Sequence, residues 1–182
     1  GAGTSTNGAG AFGATLNMQT ENLASKPFLR FDGSAGSYLT HKETVRFGTG
    51  LLGGHWAVQG RLSHLASDGY LDRATTRLNS YFLQAGYVGE NTVVKFITFN
   101  NSETTYHAWN YASKYEQSLY GRRYNSCGEY WDDEGNVHYY DNAVDSYKQH
   151  HIQLNYTHSF SDRLTWTTTL NYTRGDGYDE YY

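Results

Sequence analysis

Residues 164–173 read Leu164-Thr165-Trp166-Thr167-Thr168-Thr169-Leu170-Asn171-Tyr172-Thr173. In an extended chain successive side chains point to opposite faces. Leu164, Trp166, Thr168, Leu170 and Tyr172 then share one face. Thr165, Thr167, Thr169, Asn171 and Thr173 share the other. The β-branched and aromatic content suits a strand, and the period of two argues against an amphipathic helix. A soluble strand averages ~5–6 residues, whereas a tilted membrane-spanning strand needs ~9–11. The polar face is built of threonine and asparagine, not of lysine and glutamate. A strand that is long, apolar on one face and mildly polar on the other predicts a transmembrane β-barrel.

The same period recurs through the chain. Leu29, Phe31, Gly33 and Ala35 oppose Arg30, Asp32 and Ser34. Val45, Phe47, Thr49 and Leu51 oppose Thr44, Arg46, Gly48 and Gly50. Trp56, Val58, Gly60 and Leu62 oppose Gln59, Arg61 and Ser63. Tyr81, Leu83, Ala85 and Tyr87 oppose Phe82, Gln84 and Gly86. In residues 92–100 Lys95 is set towards water, which places Val94, Phe96 and Thr98 on the apolar face. Ile152, Leu154, Tyr156 and Phe160 oppose His151, Gln153, Asn155 and Thr157. This predicts about seven strands of ~9–13 residues. Gly53-Gly54, Gly89-Glu90-Asn91 and Ser161-Asp162-Arg163 read as tight turns. The links near 66–77 and 101–146 are longer, and a short link lies near 37–43. Short turns on one rim with long loops on the other fit an outer-membrane barrel. Trp56, Tyr87, Phe160 and Tyr172 are placed near strand ends, as aromatic girdles are. No helical period is evident.

Composition agrees. Of 182 residues only 18% are charged and 16% are aromatic, with 18 tyrosines, 20 glycines and one proline. A formal net charge of −4 gives no basic footprint for nucleic acid. A mean hydropathy of −0.72 excludes a long apolar helix, but not a barrel, whose strands average to polar. The single Cys127 excludes an internal disulfide and a Cys-x-x-Cys metal motif.

The first residues add a resemblance. Gly3-Thr4-Ser5-Thr6-Asn7-Gly8-Ala9-Gly10-Ala11-Phe12-Gly13-Ala14-Thr15-Leu16-Asn17-Met18-Gln19-Thr20 is similar to the end of the plug domain in TonB-dependent outer-membrane receptors. It departs from the family pattern at Ala14 and Leu16. The Asn- and Tyr-rich loop resembles the Bacteroidetes branch. The resemblance implies a division into a plug end at 1–20, a linker at 21–27 and the first barrel strands at 28–182. A long extracellular loop would span about 101–146. Both ends then read as cut within a longer protein.

The implied activity is transport without covalent chemistry or a cofactor. A scarce nutrient (an iron chelate, a vitamin or an oligosaccharide) would be bound and passed to the periplasm. Energy would come from the TonB–ExbB–ExbD complex through an N-terminal part that precedes these residues. Outer-membrane lipid and a surface lipoprotein are the other implied partners. Arg30, Arg46, Gln59, Arg61 and Gln84, on the polar face, would contact the plug or line the lumen. The competing expectation is a soluble or surface-tethered β-sandwich that binds glycan through its aromatic loop.

Single residues carry less. Trp109, Tyr111, Tyr124 and Trp131 are rigid aromatics with polar tips, suited to ligand capture, to packing the loop on itself or to reaching the membrane surface. His150 and His151 are adjacent and must face opposite ways, so they do not make a joint metal site. Asp132-Asp133-Glu134-Gly135-Asn136 lacks EF-hand spacing and reads as a solvated turn. Arg122-Arg123 suits an anion or neighbouring carboxylates. Cys127 is left open between a free thiol and a disulfide to a segment outside the chain. No nucleophile elbow or metal motif is present, so no catalytic or metal residue is assigned.

Overall fold

The computed structural model describes residues 22–182. The chain is all-β. β1 (Pro27–Ala35), β2 (His41–Thr49), β3 (Trp56–Ser67), β4 (Thr76–Val88) and β5 (Thr92–Tyr106) form a meander. A long connection then carries a short helix, α1 (Lys114–Tyr120). A small hairpin follows, β6 (Glu129–Trp131) and β7 (Val137–Tyr139). β8 (Val144–Ser161) returns beside β5, and β9 (Leu164–Asp179) pairs with β8. The large sheet has seven strands in the order β1-β2-β3-β4-β5-β8-β9, all antiparallel. Among the described residues β1 and β9 are its two free edges, so the sheet is open and not closed into a barrel. The one proline begins edge strand β1, where its missing N–H interrupts no ladder. The glycine-rich stretch and the plug-like residues at 1–20 lie outside the described residues.

Several strands run further than alternation predicts. β5 reaches Tyr106, β8 has 18 residues and β9 extends to Asp179. The long connection is therefore 107–143, shorter than the expected 101–146. Residues 101–105 and 145–150 are mostly polar on both faces and give no period to read. Their strands are set by backbone pairing, with Ser102 opposite Lys148 and Thr104 opposite Ser146. Tyr172 is corrected for the same reason. It lies mid-way along β9, whereas Trp56, Tyr87 and Phe160 do stand near the turn rim. The helix is a second departure. Ser113 caps it, its side chain accepting from the Glu116 N–H while Glu116 accepts from the Ser113 N–H. This capping box needs no apolar stripe, and no residue of α1 is buried.

Register divides the sheet into two faces. One row runs Trp56, Tyr87, Val94, Tyr156, Thr168, and the next Val58, Ala85, Phe96, Leu154, Leu170. Leu29, Phe47, Leu83, Ile152 and Tyr172 stand in the row after that. This face is apolar and open. Leu29, Trp56, Leu62, Leu170 and Tyr172 are all more than half exposed. Towards the loop rim the same face turns polar, through His41, Glu43, His64, Asn79, Ser102 and Lys148.

The described residues hold no second sheet packed on the apolar face, the arrangement a sandwich requires. The buried apolar cluster is small and lies beneath the long loop: Tyr106, Cys127 and Ala143, with Val144 against it.

Candidate functional site

The opposite face is polar, and it gathers the five residues expected there. Arg30, Arg46 and Arg61 are directly paired across β1, β2 and β3 in one row. Gln59 and Gln84 are paired across β3 and β4 in the next. Like charges placed opposite one another on a sheet repel, so this row favours negative charge from elsewhere. Asp32 supplies some of it, accepting from Arg30 at 2.7 Å.

Gln59 is buried and holds the segment that leads into β1. Its Oε1 accepts from the Ala24 N–H at 2.9 Å, and its Nε2 donates to the Asn22 carbonyl at 3.2 Å. Leu51 N–H donates to the Ser25 carbonyl beside it. Leu23 lies over Gly86, where an added Cβ would come within 2.3 Å of Leu23 Cδ1. Glycine is therefore the residue that lets this segment lie flat on the polar face. Gln84 is fully buried in the same region, and among the described residues neither amide atom has a hydrogen-bond partner. Such a group costs about 1–3 kcal/mol.

The loop rim is tied together by Asn125, which is fully buried. Its Nδ2 donates to the carbonyls of Asp72 (3.0 Å) and His107 (2.9 Å), and its Oδ1 accepts from the Cys127 N–H (3.1 Å). Arg73 donates to the Asn125 carbonyl and lies 3.4 Å from the Tyr139 ring centre. Arg123 meets Asp72 at 3.3 Å and donates to the Tyr70 carbonyl. The long loop is thus built onto the 68–75 link. Cys127 is a buried free thiol packed in this knot.

The four aromatics expected to capture ligand are not brought together. Trp109 stacks on His107 at 3.9 Å and approaches Tyr181. Tyr124 stacks on Tyr120 and donates to Glu129 at 2.6 Å. Burial, then Glu129, push the Tyr124 phenol well above its ordinary range, so it remains a donor. Trp131 lies exposed on β6, and Tyr111 is fully exposed. Among the described residues no ring contact joins any two of the four.

The acidic turn is a hairpin lock. Asp132 accepts from the N–H groups of Glu134 and Asn136, from the Asn136 side chain and from His138 Nε2. The backbone bond from Asn136 first, then His138, hold its carboxyl well below the usual range. His150 and His151 face opposite ways. His151 stacks on Phe99 at 4.6 Å and meets Thr173 at 2.7 Å.

One constellation was missed. His41, Glu43 and His64 gather where the apolar face turns polar, each with a ligand atom within 4.8 Å of the others'. The signal was His41-Lys42-Glu43, whose period of two puts His41 and Glu43 on one face. His64 joins them only through the β2–β3 register, which sequence does not print.

Comparisons with protein-family models, curated proteins and solved structures gave no match.

Proposed function

We propose that these residues form wall strands of a TonB-dependent outer-membrane transporter, with the apolar face in lipid and the polar face towards the lumen. One observation carries the reading. A single broad sheet exposes a continuous apolar face, while its other face is polar and holds residues 22–24 against Gln59. Exposed apolar surface of this extent marks a membrane or protein contact. At ~3.3 Å per residue the band runs ~20 Å along β3 (Trp56 to Leu62) and ~26 Å along β8 (Ile152 to Phe160). A strand tilt of ~40° lowers its height to ~15–20 Å, on the short side of the ~25 Å usual in such barrels. The outer membrane is thinner than an average bilayer, which narrows the difference. Further strands of the same barrel would complete the two free edges.

In this reading the face division does mechanical work. The leading segment enters along the lumen side, pinned by Gln59 and accommodated by Gly86. The Arg30–Arg46–Arg61 row meets acidic groups of the plug or an anionic part of the cargo. The knotted loop rim faces the cell exterior and presents Trp109, Tyr111 and Trp131 to solutes. The cargo is a small nutrient of the iron-chelate, vitamin or oligosaccharide classes, imported with energy from TonB–ExbB–ExbD.

Envelope fractionation of producing cells tests location, and uptake tests the transport. The protein should sediment with the outer membrane. Loss of the protein and loss of TonB should abolish uptake of the same member of a panel of iron chelates, vitamins and oligosaccharides. Recovery in the soluble fraction, or uptake independent of TonB, would overturn the reading.

A further inference from the structure

We propose that His41, Glu43 and His64 form a binding site for a divalent transition-metal ion, with Zn²⁺ as its natural probe. Glu43 and His64 are direct cross-strand partners on β2 and β3, and His41 lies two residues from Glu43 on the same face. Their ligand atoms fall within 4.8 Å of one another. Tetrahedral zinc with bonds of ~2.0–2.1 Å brings its ligand atoms to ~3.4 Å. The remaining contraction of up to about 1.4 Å is within reach of side-chain rotation at this open surface.

The hydrogen bonding around both histidines is compatible with ligation, and what sets them apart is that they converge with a carboxylate. A histidine ligand characteristically donates its second ring N–H to a carbonyl or a carboxylate, which fixes the tautomer. Both histidines have such a partner. His41 Nδ1 donates to the Leu39 carbonyl at 2.9 Å. His64 Nδ1 meets Asn79 Oδ1 at 2.7 Å. In the neutral tautomer that donates from Nδ1, Nε2 is the nitrogen left to accept. Asn79 faces His64 directly across β3 and β4. The Leu39 carbonyl is placed by a tight turn in which Tyr38 (φ 58) and Leu39 (φ 51) both adopt the left-handed conformation. Side chains beyond glycine rarely accept that conformation. The two rings lie 5.8 Å apart between centres.

Two imidazoles and one carboxylate give three protein ligands. That donor set leaves a fourth position open to water or to an oxygen ligand from outside. A shallow hollow of about 430 Å³, lined by Glu43, His64, Asn79 and Asn100 among others, opens beside it. Bound metal would tie β2 to β3 at the loop end of the apolar face. The site lies on the face opposite Arg46 and Arg61, so it stands or falls independently of the transport reading.

Zinc titration of the folded full chain against a chromophoric chelator tests it, followed by Co²⁺ absorption spectroscopy. One Zn²⁺ should bind per chain, and Co²⁺ should give the intense visible bands of a tetrahedral site. His64→Ala and His41→Ala should each weaken binding at least ~10-fold, and Asn79→Ala, acting through His64, ~10-fold or more. His150→Ala/His151→Ala should leave both readouts unchanged. Circular dichroism establishes that each variant folds. Equal zinc affinity in the wild type and in a folded His41→Ala/His64→Ala variant would overturn the proposal, as would octahedral cobalt spectra.

Discussion

Gln59, in the first half of β3, grips the backbone of Ala24 at 2.9 Å, 35 residues earlier in the chain. With its second bond, to Asn22, the amide uses both its acceptor and its donor on one crossing segment. A strand side chain thereby fixes the path by which the chain enters the sheet. Gln59→Leu keeps the volume and deletes both bonds. It should cost about 1–3 kcal/mol locally by leaving the Ala24 N–H unpaired. Hydrogen exchange at residues 22–26 should accelerate at least ~10-fold, the equivalent of ~1.4 kcal/mol.

Gly86 sets the floor on which that segment rests. Gly86→Ala places a methyl 2.3 Å from Leu23 Cδ1, so Leu23 must move. Leu23 Cδ1 is the end of a flexible side chain that can give way, so the cost falls at or below the lower end of the ~1–3 kcal/mol typical of core overpacking. Leu23→Ala in the same chain should recover most of the loss, because the obstructing methyl group is gone. A double-mutant cycle by denaturant unfolding measures the coupling, expected to be favourable in sign.

Much of this arrangement was legible in the sequence, and the reasons differ by element. Period-two alternation assigned Trp56, Val58 and Leu62 to one face and Gln59 and Arg61 to the other, because one face is apolar throughout the lower part of the sheet. It failed at residues 101–105 and 145–150, where both faces are mostly polar. The four loop aromatics read alike in sequence, yet each packs with a different neighbour. Asn125 gave no warning, since its importance lies in three backbone groups from distant segments. The helix had a local signal, Ser113 three residues before Glu116, but no period to draw attention to it.

Asn125→Ala should loosen the loop rim as a unit. The carbonyls of Asp72 and His107 and the Cys127 N–H would all lose their partner. A cost of about 2–4 kcal/mol follows from several buried groups left unpaired. Cys127 reports the change directly, being 1% exposed. Its labelling by a thiol reagent should rise at least ~10-fold in the variant, for ~1.4 kcal/mol or more of easier opening.

The β6–β7 hairpin should weaken in acid. Asp132 has its carboxyl held below the ordinary range by Asn136, His138 and Glu134. Its contribution is complete above the ordinary carboxylate value of ~3.9 and is lost as pH falls through the lower folded value. Amide exchange and chemical shift at Asn136 should therefore change below about pH 4. Asp132→Asn should remove that pH dependence and leave the hairpin weaker at neutral pH.

The most direct measurement of the membrane reading is a spin-label scan along β8 in lipid bilayers, in a Cys127→Ala background. Labels at residues 151–156, one at a time, should alternate. Those at 152, 154 and 156 should collide mainly with oxygen, which concentrates in the bilayer, and those at 151, 153 and 155 with an aqueous nickel complex. Equal access of the nickel complex to both sets, or no association with bilayers, would contradict the assignment of the apolar face to lipid.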